Sequence, residues 1–207
     1  EAFHEAGVPE DVFQAVVLDH DTAADLIACR AVDFVNFTGS VSGGDPPYEA
    51  DAAIARRPGQ VCAALTADCL PLLLADRAGS CVAAVHAGWR GLAGGVIESA
   101  LARLPAQPSS LLCWLGPAIG PTRFEVGAEV RERFLQAGGA AAMAAFRPAP
   151  HGKWLADLYL LARQRLSAVG VTEVSGGGFC TFSDPLRFYS HRRDGVTGRM
   201  ASLIWIQ

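Results

Sequence analysis

The chain has 207 residues, a length typical of one domain with a substantial core. Apolar residues make up 51% of it and charged residues 18%, a composition that excludes extended disorder. The net charge is −4 and no run of like charges occurs, so we expect no nucleic-acid partner. No apolar run approaches the roughly 18 residues that cross a bilayer, so we expect no membrane partner either.

Six cysteines are scattered along the chain without a CxxC motif. This is too sparse for a disulfide scaffold, and no secretion signal is predicted, so we expect a reducing, cytoplasmic compartment. Cys62, Cys81 and Cys113 lie in apolar β-like runs and are predicted to be buried small hydrophobes. Cys69 and Cys180 have more polar neighbours and are therefore set apart.

The predicted elements follow a turn-rich connector at residues 40–49. Short apolar runs predict strands, and apolar residues at helical spacing predict helices. The predicted strands are 60–66, 72–75, 80–86, 111–115, 171–174, 187–190 and 200–206. The predicted helices are 91–104, 128–137 and 155–169, the first stopped by Pro105 and the last by Gly170. The first three strands have no helix between them, which favours a single α+β domain of layered, mixed sheets with packed helices.

The most informative side chains are Cys69 and His86, which lie where predicted strands end or begin. A tight turn at 76–79 would make the two strand ends neighbours, and reactive groups collect at such places. A nearby imidazole lowers the pKa of a thiol, which would make Cys69 a nucleophile. Thiolate and imidazole are also the ligands that zinc or copper prefers. The alternative is a buried cysteine beside a satisfied core histidine.

Candidate substrate-binding residues flank this pair. Asp68 precedes Cys69 and is predicted to bind substrate. Arg90 lies in a glycine-rich turn, where its guanidinium and backbone N–H groups would suit a phosphate or carboxylate. Arg192 and Arg193 follow two aromatic residues, a segment suited to stacking on a planar ring and holding an anion. The alternative for these arginines is ion pairing with neighbouring aspartates at a strand end.

Several long segments together resemble the laccase-domain family. They are TADCLPLLLAD (66–76), VAAVHAGWRGLAGGV (82–96), WLGPAIGPTRFEVGAEV (114–130), LADLYLLARQRL (155–166) and FYSHRRDGVTGRMASLIWI (188–206). The resemblance runs from about residue 45 to the C-terminus. Before about residue 43 it weakens, so the single domain 1–207 is predicted to be N-terminally truncated or divergent there. Members of the family are also called multicopper polyphenol oxidases, purine nucleoside phosphorylases or peptidoglycan editing factors.

The resemblance implies a layered α+β fold with a His, Cys and His metal site that holds zinc or copper. Two of these ligands correspond to Cys69 and His86. The segment that aligns best with the first histidine has Arg30 in its place, and the surroundings of His20 do not mark it as a substitute. Whether this chain has a third ligand is therefore open.

The leading function that the resemblance implies is a metal-dependent purine nucleoside phosphorylase with adenosine deaminase activity. Its substrates would be adenosine, inosine, guanosine or methylthioadenosine, together with phosphate. Cys69, His86 and Arg90 would be catalytic, and Arg192 and Arg193 would bind phosphate beside Arg90. The alternatives are a copper-dependent polyphenol oxidase, a Cys–His amidohydrolase that acts on peptidoglycan precursors, and a degenerate member that only binds.

Overall fold

Three sheets and five α-helices form the part of the chain that the structure, a computed structural model, describes: residues 13–19, 34–38 and 50–207. The connector predicted at 40–49, His20 and Arg30 lie outside these residues. The strands are β1 (Phe13–Asp19), β2 (Phe34–Thr38), β3 (Ala52–Ala55), β4 (Gln60–Thr66), β5 (Leu70–Asp76), β6 (Val82–Ala87), β7 (Leu111–Leu115), β8 (Glu125–Val126), β9 (Phe146–Pro148), β10 (Trp154–Ala156), β11 (Glu173–Gly176) and β12 (Met200–Ile206). The helices are α1 (Trp89–Gly94), α2 (Val96–Leu101), α3 (Ala128–Gly138), α4 (Leu158–Ala168) and α5 (His191–Asp194).

The two larger sheets are mixed. One has the strand order β1-β12-β4-β2 and the other β11-β7-β5-β6-β3, while β8-β10-β9 form a small third sheet. Within them, β2 runs parallel to β4 and β11 parallel to β7, and the other pairs are antiparallel. Chain segments of one compact domain supply all three sheets, so the predicted α+β fold of layered mixed sheets with packed helices is confirmed.

The central strand β5 is buried along its whole length. Leu70, Leu72 and Leu74 pack on the side that the helices cover. Leu73 and Ala75 pack on the opposite side, against residues of the four-stranded sheet. Because both faces are covered, this strand is a continuous apolar run rather than an alternating one. The layers are therefore sheet, sheet and helices, with β5 in the middle.

The helix predicted at 91–104 is two helices in the structure. Gly95 has a φ of 91°, a left-handed conformation that ends α1 before α2 begins. The second helix ends at Leu101, before the predicted stop at Pro105, and short-range bonds such as Leu104 N to Leu101 O close the turn. None of the helices in the described ranges is long and apolar enough to cross a membrane.

Two further predictions differ from the structure near the C-terminal half. The helix predicted from residue 155 begins at Leu158, because Asp157 caps it by accepting a hydrogen bond from Leu160 N at 2.9 Å. The strand predicted at 187–190 is wrong. Arg187 lies in a turn, residues 188–190 belong to no strand, and the Ser190 side chain caps α5 by accepting from Arg193 N. Gly170 follows the C-cap of α4 with a φ of 91°, as predicted.

Candidate metal and substrate site

Cys69 and His86 meet at one end of the β5–β6 hairpin. The register pairs Leu70 with Ala87 and Pro71 with His86, so the start of β5 lies beside the end of β6. The two side chains converge over Gly88: a Cβ atom placed there would lie 3.1 Å from Cys69 Sγ and 3.8 Å from His86 Nε2. Glycine therefore leaves open the space that both side chains face. The hairpin predicted from the turn at 76–79 brings the pair together, as expected.

Asp51 fixes the orientation of the His86 ring. Its Oδ1 lies 2.9 Å from His86 Nδ1, and its backbone oxygen accepts from His86 N at 2.8 Å. In the neutral ring, a carboxylate on Nδ1 favours the tautomer that carries the proton there, which leaves the Nε2 lone pair towards Cys69. Sequence reasoning missed Asp51. Its only signal is that it directly precedes β3, the edge strand that pairs with β6.

The local charges favour the protonated form of His86 in the metal-free protein. Burial lowers the pKa of His86, but the hydrogen bond and charge of Cys69 and the Asp51 carboxylate outweigh it and raise the pKa to about 9. A metal that binds Nε2 must displace this proton, because only the neutral imidazole is a ligand.

The donor set of this pair fits zinc or copper. A cysteine sulfur and an imidazole nitrogen converge on one space, and the second ring nitrogen has the carboxylate partner typical of metal-binding histidines. Within residues 50–207 and the two N-terminal strands, no three His, Cys, Asp or Glu side chains are grouped so as to hold a metal ion. The third ligand that the resemblance implies would have to come from outside these residues or from solvent.

Asp68 lies beside Cys69 and is enclosed by protein. Its φ is 89°, a left-handed conformation that is uncommon for aspartate, and its exposed fraction is 9%. Oδ1 accepts from Thr181 Oγ1 and Oδ2 accepts from Arg192 N, both at 2.6 Å. Its substrate-binding role stays a prediction, but both carboxylate oxygens have internal donors.

The guanidinium of Arg193 donates all of its hydrogen bonds to acceptors within the protein. A guanidinium has five N–H groups. Nε and Nη2 contact the two Asp194 carboxylate oxygens at 2.8 and 2.7 Å, and Nη2 also donates to Phe188 O at 2.9 Å. Nη1 donates to the backbone oxygens of Thr181 and Phe182 at 2.7 and 3.2 Å. The five contacts account for its donors, so the predicted phosphate contact by Arg193, which stays a prediction, would require it to exchange a partner.

Arg192 and Arg90 keep unpaired donors at the surface. Arg192 Nη1 donates to Glu125 O at 2.7 Å, and the guanidinium lies 5.4 Å from the Phe124 ring centroid. Arg90 stacks on Trp89 at 4.5 Å. The other N–H groups of both side chains have no partner among the described residues, and both residues are exposed. These are the predicted anion-binding arginines that could accept a ligand without rearrangement.

The loop at 116–121 borders the same end of β5 and is held from two sides. The Tyr159 hydroxyl accepts from Ala118 N at 2.8 Å, and Cys180 Sγ accepts from Gly120 N at 3.2 Å. Burial raises the pKa of Tyr159 to about 12, so it stays neutral at physiological pH. Burial opposes the Cys180 thiolate, but hydrogen bonds from Ser183 and from backbone N–H groups outweigh it and lower the pKa of Cys180. Sequence reasoning assigned a role to neither residue.

Two cavities border these groups. One of about 460 Å³ lies between Asp51 and the start of α2. The other, of about 610 Å³, is lined by the segment from Pro185 to Tyr189 and by Arg193. Both volumes are in the range of small-molecule sites, which reach roughly 300–1,000 Å³.

Comparisons with known proteins agree on one family. The chain is 58% identical over 159 residues to a purine nucleoside phosphorylase of Pseudomonas aeruginosa, and 56% identical over 164 residues to the purine nucleoside phosphorylase YfiH of Escherichia coli. The matches cover 76% and 77% of this chain and 65% and 66% of those relatives, so the matched part spans about two thirds of their length.

Solved structures show the same fold. The crystal structure of Neisseria meningitidis protein NMB0706 aligns with a TM-score of 0.84 at 36% identity and covers 97% of this chain and 96% of that one. YlmD from Geobacillus stearothermophilus aligns with a TM-score of 0.71 at 31% identity, over 76% of this chain and 61% of that one. The family described as multi-copper polyphenol oxidoreductase laccase matches residues 6–207. The chain therefore belongs to this laccase-domain family.

Proposed function

We propose that this protein is a metal-dependent purine nucleoside phosphorylase in which Cys69 and His86 hold zinc or copper. The observation that carries the proposal is the convergence of Cys69 Sγ and His86 Nε2 over Gly88, with Asp51 on the far side of the ring. Relatives that are 48% to 58% identical and named purine nucleoside phosphorylases support the reaction. Adenosine, inosine, guanosine and methylthioadenosine are the proposed substrates.

The residues around the metal have separate tasks. Cys69 and His86 would supply the ligands, and Asp51 would keep the imidazole in the ligating tautomer. Gly88 would leave room between the two ligands, because any side chain there would crowd Cys69 Sγ. Zinc or copper, when bound, supplies a Lewis acid that polarises the base or activates water.

Phosphate would bind to the arginines that keep free donors. Arg90 and Arg192 each present unpaired N–H groups, and charge-assisted hydrogen bonds to phosphate are stronger than hydrogen bonds between neutral groups. In phosphorolysis a phosphate oxygen bonds to C1′ of the ribose while the bond from C1′ to the purine nitrogen breaks. The products are ribose 1-phosphate and a free base, which takes up a proton. The two guanidinium groups would orient the attacking phosphate and offset its charge.

Adenosine deamination is the second proposed activity of the same site. Here water would add to C6 of the base and ammonia would leave, so the products are inosine and ammonia. The reaction needs no phosphate, and replacing Arg192 should therefore reduce phosphorolysis more than deamination.

The proposal is tested by incubating the purified chain with adenosine or inosine, with and without inorganic phosphate. We expect phosphate-dependent release of the free base together with ribose 1-phosphate. The Cys81→Ala variant is a matched control for changes at Cys69, because Cys81 is a buried cysteine at the other end of the β5–β6 hairpin. Absent turnover, or base release that does not depend on phosphate, would contradict the proposal.

A second candidate is metal-free amide hydrolysis, which the Asp51 contact also favours. The order Cys69, His86, Asp51 is that of a nucleophile, its base and the group that orients the base. Hydrolysis of peptidoglycan-precursor amides that survives chelation and is lost in Cys69→Ser would favour this candidate. Phenol oxidation by bound copper is distinguished by copper content, measured with EPR, and by loss of turnover without oxygen.

A further inference from the structure

The residue before Cys69 links segments that are far apart in the sequence. Asp68 contacts Thr181 and Arg192 through its carboxylate, over separations of 113 and 124 residues. Its backbone oxygen also accepts from Ile119 N at 3.0 Å. One aspartate thus joins the Cys69 loop to three other parts of the chain. Its left-handed φ of 89° persists because these contacts hold it there.

Two of the three partners of Asp68, Thr181 and Arg192, belong to one internally braced segment. Arg193 binds the backbone oxygens of Thr181, Phe182 and Phe188, and so ties residues 181–194 together. The buried Ser190 caps the short helix in this segment by accepting from Arg193 N at 3.2 Å. The hydrogen bonds that Asp68 accepts therefore tie this segment to the residue before Cys69, together with the bond from Thr181 N to Ala118 O.

The side chain whose position depends on this arrangement is that of Arg192. Its backbone N–H is fixed on Asp68, while its guanidinium is exposed, lies over Phe124 and contacts only Glu125 O among the described residues. It therefore has free donors at a position set by the residue next to Cys69. Each oxygen of Asp68 already accepts a hydrogen bond from the protein, and the residue is 9% exposed, which leaves little room for a ligand of its own.

We propose that Asp68 is a positioning residue that places the Arg192 guanidinium for binding of the phosphate substrate and does not itself contact the substrate. The inference rests on the proposed function for the identity of the anion. Loss of the Asp68 bonds lets α5 shift, and a small misplacement of a substrate-positioning group weakens its action strongly. Because Asp68 acts through Arg192, the effects of replacing the two residues do not multiply.

The kinetic test is a double-mutant cycle of Asp68→Asn, Arg192→Ala and the double variant, with KM for phosphate and for inosine measured separately. We expect each single variant to raise the phosphate KM about tenfold or more while the inosine KM changes less than about twofold. The double variant should match Arg192→Ala. Multiplying effects, or equal changes in both KM values, would overturn the proposal.

Two further variants separate positioning from loss of stability. Thr181→Val removes the hydroxyl donor to Asp68 and should raise the phosphate KM, whereas Thr181→Ser keeps the donor and should restore it. Asp76→Asn is the matched control, because Asp76 is also a buried aspartate and accepts hydrogen bonds from two serine hydroxyls at the far end of β5. Its phosphate KM should stay at the wild-type value. A rise equal to that of Asp68→Asn would overturn the proposal.

Calorimetric titration with inorganic phosphate keeps the inference separate from the proposed reaction. If wild type binds phosphate and Asp68→Asn binds it about tenfold more weakly, the inference holds even when no phosphorolysis occurs. Phosphorolysis would then be the part that fails. If wild type does not bind phosphate, or both proteins bind it equally, the inference is overturned.

Discussion

The two ends of strand β5 carry similar aspartates in different settings. Asp76 accepts from Ser80 Oγ at 2.6 Å and from Ser110 Oγ at 2.8 Å, partners that are 4 and 34 residues away. Asp68 has partners more than 100 residues away, at separations of 113 and 124. Both side chains are buried, with exposed fractions of 5% and 9%. At one end the carboxylate closes a local turn. At the other it joins distant segments near Cys69, where we propose that the chemistry takes place.

The largest effect should come from removing the cysteine sulfur at the Asp68 end. Cys69→Ser should reduce affinity for zinc or copper more than about 100-fold, beyond the range that outer-shell changes cause. Titration against a chromophoric chelator measures this. Cys81→Ala, at the Asp76 end, should retain metal binding although it removes a buried sulfur. Equal losses of metal affinity in the two variants would contradict the claim that metal binds at the Asp68 end of β5 and not at the Asp76 end.

A smaller effect is expected from the carboxylate behind the imidazole. Asp51→Asn should reduce metal affinity or turnover by about 10–100-fold, because an amide no longer favours the proton on His86 Nδ1. The same titration and the inosine assay measure it, with Asp76→Asn as the control. A variant with wild-type values in both would show that Asp51 does not orient the ligand.

The space between the ligands gives a third test. Gly88 has φ −60° and ψ 158°, which alanine adopts without strain, so Gly88→Ala should fold normally. Its methyl group would lie 3.1 Å from Cys69 Sγ, and crowding of roughly 1–3 kcal/mol should lower metal affinity about tenfold. Gly94→Ala is the control, since a Cβ there meets nothing within 4 Å. Unchanged affinity in Gly88→Ala would argue against metal binding between these side chains.

The smallest effect on the site, but a measurable one on stability, is expected at the Asp76 end. Burial opposes the charge of Asp76, but hydrogen bonds from Ser80 and Ser110 outweigh it and lower its pKa. A depressed folded-state pKa stabilises the protein above the unfolded value of about 3.9, and this stabilisation is lost as the pH falls through the folded-state pKa.

Asp76→Asn should therefore cost about 1–3 kcal/mol at neutral pH and flatten the loss of stability below pH 4. Denaturant unfolding between pH 7 and pH 2 measures both. If the free energy of unfolding falls in parallel for wild type and variant through this pH range, the lowered pKa of Asp76 is not the cause of the acid destabilisation.

The sequence predicted four of the five strands of the sheet β11-β7-β5-β6-β3 and the central pair of the site. Strands β4, β7 and β12 have the predicted bounds, because buried apolar runs flanked by turns leave little choice. Cys69 and His86 come together because a short turn forces their strands to pair. Contacts that depend on register and packing over long separations could not be predicted. Asp51 contacts His86 across 35 residues, from the position before an alanine-rich edge strand that has few local sequence signals.

The same reasoning explains the predictions that failed. Gly95 divides a region with continuous helical spacing, because periodicity does not report a left-handed φ. The segment 187–190 has strand-like composition, but the Ser190 side chain caps α5 and Arg193 binds the Phe188 carbonyl, so the segment leads into a helix instead of pairing as a strand. Phosphate binding by Arg193, predicted from residue type, stays a prediction, and its internal acceptors become visible only in three dimensions.

The central claim is that the chemistry depends on a metal held by Cys69 and His86. It is tested most directly by phosphate-dependent cleavage of inosine, measured with one preparation as purified, after chelation, and after zinc or copper is returned. We predict activity that disappears on chelation and returns with one of the metals, and no return in Cys69→Ser. Cleavage that continues at the same rate in the fully chelated protein would contradict the account.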